Sequence, residues 1–215
     1  MCLSIWMTLE KTVNNKKMRK YILGVFILFC FLSGCSKTKP NKIIHIQPLG
    51  YVSNEYILSV KKSIKSFYGY DCKVLPQKKI TNDIISKVTK RIEANKVLDK
   101  FNSNINLLVL TEKDICHFKD KNRPEYGIFG LGGIKKNNNT CIVSTFRLKL
   151  GASKQKTFKR LEKVALHEIG HNLGLNHCEN NKECMMSAAK GTINQVDREK
   201  VWFCEKCTKM KNNYF

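Results

Sequence analysis

Three of the chain's five histidines fall within one stretch of eleven residues, at His167, His171 and His177. The preceding segment, Thr157–Gly174, reads TFKRLEKVALHEIGHNLG and has helical spacing. At ~100° per residue, Phe158, Leu161, Ala165, Ile169 and Leu173 share one face, and His167 and His171 share the opposite one. Imidazoles at i and i+4 bring two ring nitrogens within reach of one ion at ~2.0–2.1 Å. Glu168 sits beside His167, near enough to take a proton from water held at that ion, which is the residue set for metal-assisted hydrolysis. Gly174 is placed to end the helix in a left-handed conformation. The chain can then turn back, and His177 becomes a third ligand. Three neutral histidines leave one position open, as a catalytic zinc requires.

Four cysteines follow at Cys178, Cys184, Cys204 and Cys207, the last two as Cys-x-x-Cys. Two pairs of thiolates suit a closed, structural zinc. Two disulfides are the other reading, since an exported protein would permit them. Cys72, Cys116 and Cys141 stand apart. Either Cys116 and Cys141 pair, or all three are small buried hydrophobes. His45 and His117 have no partner visible in the sequence and read as structural.

The histidine run fills every specified position of H-E-x-x-H-x-x-G-x-x-H and so resembles the metzincin zinc motif. Beyond it the chain is similar to the archaemetzincins. In that family the third histidine is followed by Cys, a second Cys, x-Met, seventeen residues and Cys-x-x-Cys. Here Cys178 directly follows His177, Cys184-Met185-Met186 supplies Cys-x-Met, Ser187 to Phe203 fill the gap, and Cys204 and Cys207 close it. Five residues separate Cys178 from Cys184 where the family has four, an insertion that a loop absorbs easily. Upstream, IIHIQPLG from Ile43 and LLVLTEKD from Leu107 resemble the family's first and third strands. The likeness spans about residues 42–207. It implies peptidase chemistry on a peptide or protein substrate and a compact metzincin-like α/β domain with a mixed, mainly parallel sheet. It also implies two Zn2+, one catalytic on the three histidines and one structural on the four cysteines, with Met186 as the Met-turn residue beneath the histidines. A zinc-stabilised pseudo-protease acting as a binding protein is the alternative; an intact Glu168 argues against it.

The elements that position these residues follow from periodicity. KIIHIQP (42–48) is rich in β-branched residues and reads as a strand. Ser53 to Tyr68 has Ile57, Val60, Ile64 and Phe67 at helical spacing, and Asn82 to Leu98 gives a second helical pattern. Cys72–Leu75 reads as a short strand. INLLVL (105–110) is nearly continuous apolar sequence, typical of a strand buried on both faces. Gly-rich Tyr126–Ile134 fits an irregular edge strand, and TCIVSTF (140–146) another strand. Strands alternating with helices argue for an α/β sheet.

The N-terminus is of another kind. Lys16, Lys17, Arg19 and Lys20 precede the apolar run YILGVFILFCFL, which is shorter than the ~20 residues a membrane span needs. It ends Leu32-Ser33-Gly34-Cys35 and resembles the lipobox of bacterial lipoprotein signals. The expectation is an export signal over 1–34 with its true start at Met18, a lipidated Cys35 and a tether over 35–41. The enzyme domain then occupies 42–215, anchored to the membrane in the cell envelope outside the cytoplasm. A short buried or membrane-anchoring helix with an incidental cysteine is the other reading.

The formal charge is +22, from 39 Lys+Arg against 17 Asp+Glu, which raises the question of a nucleic-acid partner. The lysines are scattered rather than interleaved with aromatics, so no nucleic acid is expected.

Overall fold

Strand Leu107–Thr111 is buried along its whole length, as its unbroken apolar run requires, and the main sheet is built around it. The structure, a computed structural model, describes residues 43–102, 104–118, 125–133, 139–189 and 191–214. The expected export signal, Cys35 and the tether lie outside the described residues.

In chain order the strands are β1 (Ile43–Pro48), β2 (Asp71–Val74), β3 (Ile92–Glu93), β4 (Leu107–Thr111), β5 (Ile115–His117), β6 (Tyr126–Ile128), β7 (Gly130–Leu131) and β8 (Thr140–Ser144). The helices are α1 (Asn54–Tyr68), α2 (Ala94–Lys100), α3 (Lys154–Asn172), α4 (Ile193–Arg198) and α5 (Glu205–Tyr214). The main sheet has the order β2-β1-β4-β8-β7, and every pairing is parallel except the antiparallel β7–β8 edge. A small sheet, β3-β5-β6, is mixed. The fold is therefore α/β with a mainly parallel sheet, as the alternation of elements implied.

Period-two alternation sends the strands' side chains to two cores. Ile44, Ile46, Leu108, Leu110, Cys141 and Val143 pack with Val60 and Ile64 of α1 and Leu161 and Ala165 of α3. On the other face, Leu107, Val109 and Ile142 pack with Val97 and Leu98 of α2 and Ile115 of the small sheet. Each fully buried Leu or Ile contributes ~1.5–3 kcal/mol relative to exposure. Helix α3 is thus fixed on the sheet by its Leu161–Ala165–Ile169 stripe. It begins three residues before the sequence estimate because the Ser153 side chain caps it, accepting from the Lys156 N–H. Ser53 caps α1 in the same way through Glu55 N–H, and Gly69 closes that helix at φ 73°.

Two sequence readings are corrected. The helix expected over 82–98 is instead a 3-10 turn (Asn82–Ile84), strand β3 and the shorter helix α2. The Ser86 hydroxyl accepts from the Val88 and Thr89 N–H groups, offering the backbone a turn in place of the helix ladder. Lys90 then takes a positive φ of 58°, and the buried Ile84 and Ile92 enter the second core from either side of the turn. The single edge strand expected over 126–134 divides at Phe129: β6 pairs with β5, whereas β7 pairs with β8. Ile134 lies outside the described residues.

Candidate metal centre and cleft

Helix α3 delivers His167, Glu168 and His171, and then stops. Leu175 N–H donates to the Gly170 carbonyl at 2.9 Å and Gly174 N–H to the His171 carbonyl at 2.9 Å, with Gly174 at φ 87°. This is a Schellman closure, open to glycine at low cost because its left-handed φ would strain a Cβ. The reversed chain brings His177 back over α3. His171 Nε2 stands 3.0 Å from His167 Nε2 and 3.2 Å from His177 Nε2.

The other ring nitrogens explain why Nε2 is the atom presented. His167 Nδ1 meets the Met185 carbonyl at 2.6 Å, and His171 Nδ1 meets the Leu175 carbonyl at 2.7 Å. A carbonyl only accepts, so each Nδ1 carries the proton and each Nε2 presents a lone pair. Burial pushes His167 down to about 3 and His171 to about 4, and lowers His177, so all three rings are neutral. Converging lone pairs repel one another unless a cation lies between them. Tetrahedral zinc with nitrogens at ~2.0–2.1 Å sets neighbouring nitrogens ~3.3 Å apart, close to the spacing found. The three histidines could therefore hold one ion.

Met186 is fully buried beneath them. A Cβ at Gly170 would stand 2.6 Å from the Met186 sulfur, so the missing side chain of Gly170 lets the thioether seat against α3. The neighbouring Met185 supplies the carbonyl that orients His167.

Glu168 is 7% exposed, and burial, followed by the charge of Glu199, pushes its carboxyl up to about 8. The backbone of β7 runs directly against it. A Cβ at Gly130 would lie 2.7 Å from both Cγ and Oε1 of Glu168, and one at Gly132 would lie 2.9 Å from the Glu168 carbonyl oxygen. A Cβ at Gly133 would strike His171 at 2.7 Å. The glycines legible only as an irregular strand thus clear the space in which the acid and the second histidine sit.

These residues line a cleft of about 820 Å³ that also reaches His117, Tyr126, Val164, Ala188, Val196 and Glu199. His117, read from sequence as partnerless, bonds Asn95 Oδ1 through Nδ1 at 2.7 Å and meets the Tyr126 ring edge-on. The sequence offered Tyr126 only as the start of an edge strand, and nothing in it marked Glu199 as a cleft residue. Glu199 follows α4 without any motif spacing to the histidines.

The four C-terminal cysteines gather in a separate buried cluster with Leu175 and Met186. Their sulfurs lie within 4.8 Å of one another, Cys178 and Cys204 at 3.6 Å, and none is bonded to another. Zinc–sulfur bonds of ~2.3 Å place tetrahedral sulfurs ~3.8 Å apart, so the set could hold a second ion. Burial raises the Cys184 and Cys207 thiols, a cost that a cation would offset. Cys116 and Cys141 do not pair: they sit in β5 and β8, in different sheets, and Cys72 is also free. Burial pushes Cys72 and Cys116 to about 11 and Cys141 well above its ordinary value, so all three behave as protonated packing groups.

An α/β domain with a mainly parallel sheet, a histidine-bearing helix ending in a glycine turn, and a methionine beneath the histidines defines a metzincin-type zinc metallopeptidase. Residues 104–213 match the model of Peptidase family M54. The archaemetzincin of Methanocaldococcus jannaschii is 33% identical over 172 residues, covering 77% of this chain and 90% of that one. That of Archaeoglobus fulgidus is 31% identical over 164 residues, covering 76% and 95%. The crystal structure of the Archaeoglobus fulgidus archaemetzincin complexed with malonate superposes with a TM-score of 0.66 at 28% identity, covering 78% of this chain and 98% of that one. The chain belongs to Peptidase family M54, the archaemetzincins.

Proposed function

We propose that His167, His171 and His177 hold a catalytic zinc through their Nε2 atoms and that Glu168 is the general base of peptide-bond hydrolysis. The observation that carries this is the convergence of three outward-facing Nε2 lone pairs beside a buried carboxylate in an open cleft. Held there, zinc supplies Lewis-acid polarisation of the peptide carbonyl and of water. The charge of that ion would offset the burial that raises Glu168 and keep it ionised, so that its carboxylate takes the proton of the attacking water and returns it to the departing amine nitrogen. The Met185 and Leu175 carbonyls keep the His167 and His171 rings oriented, and Gly130 of β7 and Gly132 just beyond it leave the room in which Glu168 sits. As the sheet's antiparallel edge, β7 offers an extended peptide a backbone to pair with beside Glu168. Cys178, Cys184, Cys204 and Cys207 hold a second, structural zinc.

The sequence features of the N-terminus support a second part of the reading: Cys35 carries lipid, and the enzyme is anchored in the cell envelope outside the cytoplasm. Incorporation of a labelled fatty acid into wild type but not Cys35→Ser is the expected outcome. An unlabelled wild-type chain in the soluble fraction refutes this part alone.

The metal assignment is tested by elemental analysis of the chain from residue 36, as wild type and as His171→Ala. Two zincs falling to one is expected. One zinc that survives His171→Ala would mean that the histidines hold none.

A further inference from the structure

We propose that Glu199 is the specificity-determining carboxylate of the cleft and receives the cationic side chain, lysine or arginine, of a substrate residue flanking the scissile bond. The inference rests on the peptidase reading above.

Among the described residues, the carboxylates that line the cleft have no lysine or arginine beside them in its wall. The protein has 39 Lys+Arg, yet none is among the described residues that line this cleft, where Glu168 and Glu199 are the acidic side chains. Glu168 has the chemistry to perform. Glu199 has no such task, although it is just 4% exposed.

A buried carboxylate ordinarily collects donors. Among the described residues, Glu199 has one long side-chain contact, from Gln195 Nε2 at 3.5 Å. That amide is better bonded to the Lys182 carbonyl, at 2.7 Å. Lys163 is close enough to favour the charged form, but its Nζ donates to the Val196 and Asp197 carbonyls at 2.9 and 3.0 Å and forms no ion pair with Glu199. Burial accordingly pushes Glu199 up to about 7. A cation placed here would supply the donor that this buried carboxylate lacks.

The shape of the approach fits a long basic side chain. Val164 precedes Glu168 by one helical turn, ~6 Å along α3. Val164, Val196, Ala188 and Ala189 give the same cleft apolar walls. A methylene stem packs on such walls while its charged tip pairs with a carboxylate.

The test uses the zinc-loaded full chain and peptides identical except at the two residues flanking the scissile bond, each set in turn to lysine, norleucine or glutamate. Norleucine keeps the length of lysine without the amine. Wild type is expected to prefer lysine over norleucine by roughly tenfold or more in kcat/KM at one of the two positions, the scale of a charge-assisted hydrogen bond. That ratio falls to near one in Glu199→Gln, is largely kept in Glu199→Asp, and shifts toward glutamate in Glu199→Lys. A merely structural carboxylate would change kcat/KM for all peptides by one factor and leave the ratio intact. Cleavage without a lysine preference, or a preference that survives Glu199→Gln, overturns the inference while leaving the peptidase reading standing. Lysine-selective binding by fluorescence anisotropy without any cleavage does the reverse. Binding of neither peptide overturns both. Should Glu199→Gln fail to fold, the wild-type ratio and Glu199→Lys decide.

Discussion

Gly130 and Glu168 are fitted to one another: a β-carbon on Gly130 would stand 2.7 Å from the Glu168 Oε1 atom. No such contact survives without movement, and the backbone of β7 is held by its pairing to β8. The movement therefore falls on the carboxylate. Gly130→Ala is expected to lower kcat/KM by ~10²-fold, the cost of an ångström-scale displacement of a catalytic group. Zinc content should be unchanged. Steady-state kinetics beside elemental analysis checks this; full activity would show that the strand, rather than the acid, gives way.

Glu168→Gln removes the base and retains the shape. Activity is expected to fall ~10²–10⁴-fold, the range for loss of general acid–base catalysis. Both zincs should remain, because His167 and His171 take their orienting bonds from the Met185 and Leu175 carbonyls and not from that carboxylate. Loss of metal together with activity would assign Glu168 a structural role instead.

The histidine–glutamate site was legible in the sequence because its spacing is local. A helix places i and i+4 on one face, and a glycine at the right distance ends it. The cysteine cluster was legible for a similar reason, since its pairs are short-range. What escaped was carried by tertiary contact. Gly130 and Gly132 matter for what the sheet sets beside them, and glycine in a strand signals only close approach, never the neighbour. Glu199 enters the cleft because α4 packs under α3, a juxtaposition no periodicity encodes. The helix expected over 82–98 failed because β-branched Ile84, Ile85, Val88, Thr89 and Ile92 favour extended backbone, and the Ser86 side chain competes for the N–H groups.

The cysteine cluster predicts a separable metal. Cys207→Ser should release one zinc and lower stability by at least ~3 kcal/mol, a fraction of the ~10–16 kcal/mol that structural zinc contributes in small zinc-dependent peptides. The histidine zinc should survive, since no histidine belongs to that sulfur set. Zinc counting and urea denaturation of the two chains measure both effects. An unchanged zinc count would show that these thiols hold no ion.

Arg160 joins α3 to α4 and should make the fold acid-sensitive. Its guanidinium is 4% exposed and forks onto Asp197 with two bonds of 2.8 Å, while Nη1 donates to the Leu148 and Leu150 carbonyls. The Arg160 bonds come first, and with Lys156 they hold Asp197 down to about 2, from an ordinary 3.8. A carboxyl depressed in the folded state contributes stability that is fully present above its unfolded value and lost as pH falls through the folded one. The window is therefore about pH 4 down to about pH 2, and the shift corresponds to about 2 kcal/mol. In Asp197→Asn that contribution is missing at neutral pH, so the variant should be less stable than wild type by at least this amount. The gap should narrow by about 2 kcal/mol as pH drops from 5 to 2. Acid also protonates the histidine and cysteine ligands, but it does so in both chains, so the difference between them isolates Asp197. Denaturant titrations of the two proteins across that range decide the matter: a gap that stays constant with pH would mean the Arg160–Asp197 fork does not set the acid limit of the fold.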